Sequence, residues 1–303
     1  MNCLLVIGGS GFIGAAALNA IDASAFEIHA TYNDHEPTQA LRGLATWHKL
    51  QLFDANAMQK LVARIRPSHL LHLAWYMRER DHLVVQENLD WVVAGLQLTA
   101  AFVRHGGKRA VYAGTYAEYG VAEGALDEKR PPAPESLYAV CKDALRRVLA
   151  GFAPASGLSY CWTRIFTVYG PGDAPYRVIP YAIDRLLSGR EVLATEGRQI
   201  RDFIHVSDVG RALAQLLQSQ LEGSVNVGSG EGYSVREMLQ MISEEIGSDR
   251  LRLGAREQAP GETQHIVANV EKLRSAGWSP QHTLRSGLQD VVNAARLRME
   301  NRA

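Results

Sequence analysis

The first half of the chain alternates short apolar runs with longer segments whose apolar residues recur at helical spacing. Residues 4–7 are apolar throughout, and residues 70–73 are apolar except for His72. Such runs are typical of strands that helices cover on both faces. We therefore expect an α/β fold with a Rossmann-type, doubly wound parallel sheet. The predicted strands are residues 3–7, 27–31, 70–73 and 109–113, and the predicted helices are residues 13–23, 57–65, 88–104 and 137–151.

The pattern changes after about Thr167. Glycine, proline and aromatic residues cluster at 169–172, and short strand-like runs then mix with helical ones. We expect a smaller α/β substrate-binding domain here, formed by residues 167–202 and 221–303. Residues 1–166, rejoined by about 203–220, would form the cofactor-binding domain. Ligands of open α/β sheets bind at the carboxyl ends of the strands, so the cleft should lie between the two parts.

Composition excludes several classes of function. The 303 residues contain 32 Lys and Arg against 32 Asp and Glu, without the positive excess of a nucleic-acid-binding protein. No apolar run approaches the roughly 20 residues that span a membrane, and no signal-peptide pattern is present, which favours the cytoplasm. The three cysteines, Cys3, Cys141 and Cys161, lack metal-ligand spacing, so no metal is expected.

A glycine-rich turn joins the first predicted strand to the first helix. Glycines at such a turn let the backbone approach a pyrophosphate, which the N–H groups at the start of the helix then bind. The turn therefore predicts a dinucleotide site. The expected cofactor contacts are Gly8, Ser10, Gly11, Phe12, Ile13 and Gly14.

The end of the second strand bears on the choice between NAD and NADP. NAD-binding sites of this type have an acid there that binds the ribose hydroxyls. This chain has Tyr32 and Asn33 at that place, while Asp34 comes too late and Arg42 could meet a 2′-phosphate. NADP(H) is therefore favoured over NAD(H). Asp54, after the next strand, is a candidate for the adenine edge or, equally, a helix N-cap.

Three side chains suggest proton and hydride transfer. Tyr138 and Lys142 are four residues apart, on one face of a predicted helix. A nearby ammonium is the kind of neighbour that lowers the pKa of a phenol. Thr115 ends a predicted strand and offers a hydroxyl to orient a substrate oxygen toward that phenol. Together with the glycine turn, these residues predict a nicotinamide-dependent catalytic site.

With these motifs in this order, the chain resembles the extended short-chain dehydrogenases/reductases that act as sugar-nucleotide epimerases, dehydratases and reductases. Further matching motifs are residues 72–74, Asn88, residues 119–120, Arg164, and residues 169–172, 201–209, 226–228 and 277–278. The resemblance implies a nucleoside-diphosphate sugar as substrate and a homodimer formed through the helices that contain Asn88 and Tyr138. It also implies cofactor contacts at Leu73 and Ala74. The implied substrate contacts are Tyr76, Tyr116, Thr167, Arg201 (near the diphosphate) and Arg256.

The residues after Thr115 separate the reactions of this family. The dehydratases that the chain resembles have Asp-Glu directly after the threonine, whereas this chain has Tyr116 and Ala117 there. Glu118 follows and, on an extended strand, would point to the opposite face. Epimerase-reductases acting at C3 and C5 have a cysteine where Ala117 stands. These differences leave a 4-keto reductase or a 4-epimerase.

The reductase is favoured. An epimerase recycles tightly held NAD, whereas a reductase consumes NADPH, and the ribose acid is missing. Residues 179–184, 199–202 and 254–258 resemble CDP-abequose synthase-type reductases of 4-keto-6-deoxy or 3,6-dideoxy sugar nucleotides. Hydride would reach C4 while Tyr138 protonates the oxygen, Lys142 orients the nicotinamide ribose and Thr115 holds the substrate.

Two departures from the family pattern concern the substrate. Where the family often has Arg-Pro-Gly-Asp, residues 259–262 read Ala-Pro-Gly-Glu, which makes Arg256 the candidate replacement for the arginine. Thr167 replaces the usual asparagine. A regulator that senses NAD(P) without catalysis is a further alternative, and the intact Thr115, Tyr138 and Lys142 argue against it.

Overall fold

Strands and helices alternate through the first half of the molecule and mix more irregularly in the second. The computed structural model describes residues 2–77, 80–257 and 263–300. The strands are β1 (Asn2–Ile7), β2 (Phe26–Tyr32), β3 (Thr46–Lys49), β4 (His69–His72), β5 (Arg109–Thr115), β6 (Gly124–Leu126), β7 (Ser159–Ile165), β8 (Thr167–Tyr169), β9 (Val192–Leu193), β10 (Ile200–His205), β11 (Gly223–Val227), β12 (Gly232–Ser234), β13 (Leu251–Arg252) and β14 (His265–Ala268). The helices are α1 (Phe12–Ala20), α2 (Gln39–Arg42), α3 (Ala55–Ile65), α4 (Glu87–Arg104), α5 (Leu137–Ser156), α6 (Val178–Leu187), α7 (Val206–Gln218), α8 (Val235–Ile246), α9 (Glu271–Arg274) and α10 (Leu284–Glu300).

A seven-stranded parallel sheet forms the larger part, in the order β11-β7-β5-β4-β1-β2-β3. Strand β1 is buried on both faces: Leu4 and Val6 belong to one apolar core, Leu5 and Ile7 to the other. Double burial explains why the strand is apolar at each position. The chain leaves β1 toward β2 on one side and returns to β4 on the other. This reversal of strand order opens a crevice at the carboxyl ends of β1 and β4, and the Rossmann-type prediction is confirmed.

A smaller sheet holds β12, β10, β14 and β6 in that order, and β8 also pairs with β10. Helices α6, α8 and α10 pack together around a separate apolar core. Helix α7 returns to the large part and packs on α1. Strand β11, which falls in the predicted substrate domain, is the edge strand of the large sheet, because it pairs with β7 from 223 to 227. The division into domains stays a prediction.

Helix α5 runs farther than the sequence predicts. The expected end at Gly151 is wrong, because the helix continues to Ser156 and includes Pro154. Gly157 takes the left-handed conformation, with φ 69°, and its N–H donates to the carbonyl of Ala153. Gly157, which takes the left-handed cap conformation, therefore ends the helix, and Gly151 does not.

No helix in the described ranges is long and apolar enough to cross a membrane.

Candidate active site

The glycine turn between β1 and α1 has the backbone conformation that a dinucleotide site needs. Gly8 has a φ of 85°, and a Cβ on Gly14 would overlap the Gly8 carbonyl oxygen. Gly11 precedes α1, whose start has neither a side-chain cap nor an acidic residue in the first turn. The N–H groups at the start of this helix thus face no competing side-chain acceptor, and the turn fits a pyrophosphate.

Segments from both halves of the chain flank this turn. A Cβ on Gly8 would lie 3.0 Å from the Ala74 nitrogen, and Leu73 donates its N–H to the Ile7 carbonyl at 2.9 Å. On another side, a Cβ on Gly172 would lie 3.9 Å from the Phe12 ring. Ser10, Phe12 and Ile13 are half-buried. The structure therefore brings the predicted cofactor contacts of the turn and of the segment after β4 together.

The residues predicted near the adenosine are spread along the edge of the large sheet. Tyr32 ends β2 and Asn33 follows it. Arg42 ends α2 and forms an exposed ion pair with Glu36 at 3.6 Å. Asp54 is the N-cap of α3 and accepts the N–H of Ala57 at 2.9 Å. Its N-cap role is confirmed, whereas contact with an adenine stays a prediction.

The three predicted catalytic residues lie together. Ser136 caps α5, so Tyr138 and Lys142 stand in its first two turns. The Lys142 Nζ donates to the Ala113 carbonyl on β5 at 2.7 Å and lies 5.9 Å from the Tyr138 ring centroid. Thr115 ends the same strand, and its hydroxyl lies near enough to the Tyr138 phenol to act on the pKa of that phenol. The Tyr138 phenol, the Lys142 ammonium and the Thr115 hydroxyl therefore lie close together at the carboxyl end of β5.

Burial controls the protonation of this group. Tyr138 is 8% exposed, and burial raises the pKa of its phenol, against the opposing hydrogen bond of Thr115. Burial also lowers the pKa of Lys142 to about 7, partly offset by Glu118. The pKa of Tyr138 therefore shifts in the direction opposite to the expected lowering, because loss of hydration is the largest effect on the phenol. The phenol holds its proton at neutral pH.

Glu118 lies in the core, in a turn and not on the extended strand that the sequence suggests. It lies in a 3-10 turn, Tyr116–Tyr119, and accepts the Thr115 N–H at 2.9 Å as part of a capping box. The same carboxylate accepts the Trp162 indole N–H at 2.8 Å and pairs with Arg164 at 3.0 Å. It is fully buried. These partners occupy its oxygens, so Glu118 is unavailable to act on a substrate.

Trp75 is a site residue that the sequence reasoning missed. Its ring lies 3.8 Å from the Lys142 Nζ, and its indole N–H donates to the Asn88 Oδ1 at 2.8 Å. The signal was an aromatic residue directly after the Leu73–Ala74 pair.

The residues predicted to bind substrate occupy two regions. Tyr76 follows the cofactor segment, and its hydroxyl donates to Asp81 at 3.4 Å. Tyr116 stacks on Phe166 with ring centroids 5.5 Å apart. Both lie on loops that follow carboxyl ends of the central strands. Their placement is compatible with the predicted cleft.

The other predicted substrate residues lie in the smaller part. Thr167 is on β8 and Arg201 on β10, which are adjacent strands. Arg201 donates to the carbonyl of Ile200 at 2.9 Å. Arg256 is exposed, with its guanidinium 6.0 Å from the Tyr181 ring. Residues 259–262 lie outside the described residues.

One cluster of metal-ligating side chains occurs in the described ranges, near the amino ends of β1 and β2. Cys3, Glu27 and His29 place ligand atoms within 4.8 Å of one another. Arg64 donates to His48 Nδ1 at 3.2 Å, so His48 carries its proton on Nε2 and donates to His29 Nδ1 at 2.9 Å. His29 then donates from Nε2 to Glu27 at 3.3 Å. Hydrogen bonds therefore occupy the nitrogen that a metal would require.

Comparison with known proteins agrees with this geometry. Residues 4–228 match the model of the NAD dependent epimerase/dehydratase family. The chain belongs to this family. It is an NAD-dependent enzyme of the sugar-nucleotide epimerase/dehydratase type.

Individual members of the family resemble the chain over nearly its whole length. It is 27% identical to the UDP-glucose 4-epimerase of Rhizobium meliloti, across 96% of both chains. It is also 27% identical to the CDP-abequose synthase of Salmonella typhimurium, across 95% of this chain and 97% of that one. The UDP-glucose 4-epimerase of Thermotoga maritima, solved with UDP-glucose, has a TM-score of 0.89 at 25% identity, covering 98% of this chain and 99% of that one.

Proposed function

We propose that the protein is an NADPH-dependent 4-keto reductase of a nucleoside-diphosphate 4-keto-6-deoxy or 3,6-dideoxy hexose. One observation carries the proposal: Tyr138 is a buried, protonated phenol beside Thr115, and Glu118, the acid whose charge acts on that phenol, is held in the core by Trp162 and Arg164. A site with one proton donor and no free carboxylate pair suits reduction of a carbonyl. It does not suit elimination of water, which needs a further acid and base.

The residues have separate roles in this reaction. When bound, the nicotinamide would supply the hydride that reduces C4 of the keto sugar. Thr115 donates a hydrogen bond that orients the substrate oxygen, and Tyr138 transfers its proton to that oxygen as negative charge develops. Lys142 binds the nicotinamide ribose and holds positive charge near the phenol, which stabilises Tyr138 after it has lost its proton.

The preference for NADPH rests on the end of β2. Tyr32 and Asn33 stand where an acid would bind the ribose hydroxyls, and Arg42 is close enough in sequence to reach a 2′-phosphate after leaving Glu36. A phosphate would compete well for this exposed guanidinium, because exposed ion pairs are weak. Asp54 would bind the adenine edge with the carboxylate oxygen that its cap leaves open.

The substrate would extend from this site toward the smaller part of the molecule. Tyr76 and Tyr116 would contact the sugar. Arg201 lies on β10, two residues before the Phe203 that pairs with Thr167, and would contact the diphosphate, with Arg256 as the second cation. This assignment follows the charge of the ligand, because guanidinium groups form strong, charge-assisted hydrogen bonds with phosphate oxygens.

A 4-epimerase is the second candidate. The similarity to UDP-glucose 4-epimerases in sequence and in structure supports it, and such an enzyme would use the same Thr115, Tyr138 and Lys142. The two candidates differ in what happens to the cofactor. An epimerase regenerates its NAD in each turnover and retains it, whereas a reductase must release it.

The proposed enzyme would form a homodimer through α4 and α5. These helices pack side by side and expose apolar side chains that a soluble monomer would normally cover. The exposed residues are Leu89 and Val93 on α4 and Val140, Val148 and Phe152 on α5.

The nucleotide that copurifies with the protein tests the proposal. Freshly purified protein is denatured, and any released nucleotide is identified by its absorbance and mass. We expect little retained nucleotide and, when cofactor is added back, tighter binding of NADPH than of NADH. Stoichiometric NAD in the released fraction would contradict the reductase and favour the epimerase.

A further inference from the structure

The ammonium of Lys142 is held in a site that disfavours its charge. The side chain is 4% exposed, and burial lowers its pKa to about 7. The carboxylate that counteracts this effect belongs to Glu118, whose oxygens are already bound by Trp162 and Arg164. The other titratable groups nearby are neutral, because burial raises the pKa of Tyr138 and lowers the pKa of His72 to about 3. A charged Lys142 therefore needs another source of stabilisation.

The face of Trp75 is in position to provide it. The Lys142 Nζ lies 3.8 Å from the ring centroid, well inside the range in which an ammonium is attracted to an indole face. The ring also stands edge-on to Tyr138, with centroids 6.2 Å apart and planes at 78°. It stacks on Trp91 at 6.0 Å. Trp75 thus contacts both members of the proton-handling pair.

Asn88 fixes the orientation of this ring. Its Oδ1 accepts the Trp75 indole N–H at 2.8 Å, and its Nδ2 donates to the carbonyls of His82 and Val85, each at 2.9 Å. Asn88 is fully buried. Because both ends of the amide have partners, its oxygen must face Trp75 and the indole plane is set.

We propose that Trp75 is a positioning residue, held by Asn88, that keeps Lys142 in its ammonium form against Ala113 and Tyr138. The effect of Trp75 on turnover rests on the proposed function. The effect of Trp75 on the charge of Lys142 does not, because these two side chains touch each other whether or not a substrate is bound.

The direct test measures the titration of Lys142 by NMR in protein with isotope-labelled lysine side chains. The Lys142→Met variant assigns the resonance. We expect Trp75→Leu to lower the midpoint by about one pH unit, the size of a desolvated cation–π interaction. Trp75→Phe, which keeps an aromatic face, should retain about half of the effect. An unchanged midpoint in a folded Trp75→Leu protein would overturn the proposal.

Trp91→Leu is the matched control, because Trp91 stacks on Trp75, whereas the rings that face the Lys142 ammonium among the described residues are those of Trp75 and Tyr138. Its Lys142 midpoint should stay at the wild-type value. An equal fall in Trp91→Leu and Trp75→Leu would also overturn the proposal, since looser packing would then explain both.

A second measurement separates this inference from the proposed reaction. If the protein reduces a 4-keto sugar nucleotide, the alkaline limb of its kcat profile should move to lower pH by the same interval in Trp75→Leu. If the substrate is wrong, no turnover is seen, and the NMR titration still decides the role of Trp75. If the alkaline limb of the kcat profile stays in place although the Lys142 titration shifts, Trp75 has no role in turnover. Its effect on the charge of Lys142 then still stands.

Discussion

Burial raises the pKa of the Tyr138 phenol and lowers that of the Lys142 ammonium to about 7. Both shifts favour the uncharged form, as expected when ionisable groups leave water. For a reductase this state is useful at Tyr138, which must donate a proton. It is a cost at Lys142, which must be positive to bind the ribose, so its contacts with Ala113 and Trp75 matter.

Tyr138→Phe tests the proton donor. Phenylalanine keeps the ring between Trp75 and His82 but removes the hydroxyl. We expect cofactor binding within a few-fold of the wild type and a fall in kcat of about 100- to 10,000-fold. Fluorescence titration with NADPH and steady-state kinetics measure the two quantities. Near-normal turnover would refute the assignment.

Glu118→Gln tests the interpretation of Glu118 as a structural residue. The amide can still accept hydrogen bonds but leaves the buried Arg164 without its counter-ion. We expect a loss of about 3 kcal/mol in the free energy of unfolding, measured by urea denaturation. The exposed Glu123→Gln should change it by less than about 0.5 kcal/mol. Equal stability of the two variants would contradict the assignment.

Sequence reasoning found the residues that belong to motifs and missed those defined by packing. Thr115, Tyr138 and Lys142 could be predicted, because each has a fixed place on a strand end or helix face. Trp75 could not, since its role depends on Asn88, 13 residues away, and on Lys142 from another helix. The partner of Glu118 is likewise 46 residues away.

At the scale of elements, the turn between β1 and α1 is the feature most sensitive to a single methyl group. In Gly14→Ala the new Cβ would overlap backbone atoms of Gly8 and Gly9. We expect NADPH affinity to fall by about 10- to 100-fold, as a strained turn shifts away from the pyrophosphate. Fluorescence titration measures it.

The control for this change is Gly43→Ala. Gly43 has a φ of −78° and no heavy atom within 4 Å of the added Cβ. Its NADPH affinity should match the wild type. If Gly14→Ala also bound normally, the glycine turn would not be the pyrophosphate site.

Strands β1, β2, β4 and β5 and helices α1, α3 and α4 could be predicted to within a few residues, whereas the four-residue elements β3 and α2 were not among the predicted segments. The end of α5 could not be predicted, since the choice between Gly151 and Gly157 as cap depends on backbone conformation. The capping turn Tyr116–Tyr119 could not be distinguished from an extended strand either. The side chains of Thr115 and Glu118 stabilise this turn, and no local pattern of apolar residues reveals it.

At the scale of the whole molecule, the apolar face of α4 and α5 predicts a dimer. Val93 is 53% exposed on α4, and an aspartate there would place a charge in the proposed interface. We expect Val93→Asp to be monomeric by size-exclusion chromatography with light scattering. Leu297→Asp, on α10 and 60% exposed, should remain dimeric. A monomeric wild-type protein would contradict the prediction.

The interleaving of the two parts could be predicted only in outline. The change in the pattern of apolar, glycine and proline residues after Thr167 indicated a second region. It could not show that β11 pairs with β7, 62 residues earlier, or that β6 pairs with β14, 142 residues later, because strand pairing over such distances leaves no local pattern.

The central claim is that the protein reduces a 4-keto sugar nucleotide with Tyr138 as the acid. The most direct measurement mixes the protein with NADPH and a 4-keto-6-deoxy sugar nucleotide, and follows NADPH absorbance together with product formation. The account predicts one NADPH oxidised for each 4-hydroxy product, and a reaction slowed by about 100- to 10,000-fold with Tyr138→Phe. Interconversion of an ordinary UDP-hexose without added cofactor, and no NADPH oxidation with the keto sugar, would contradict it.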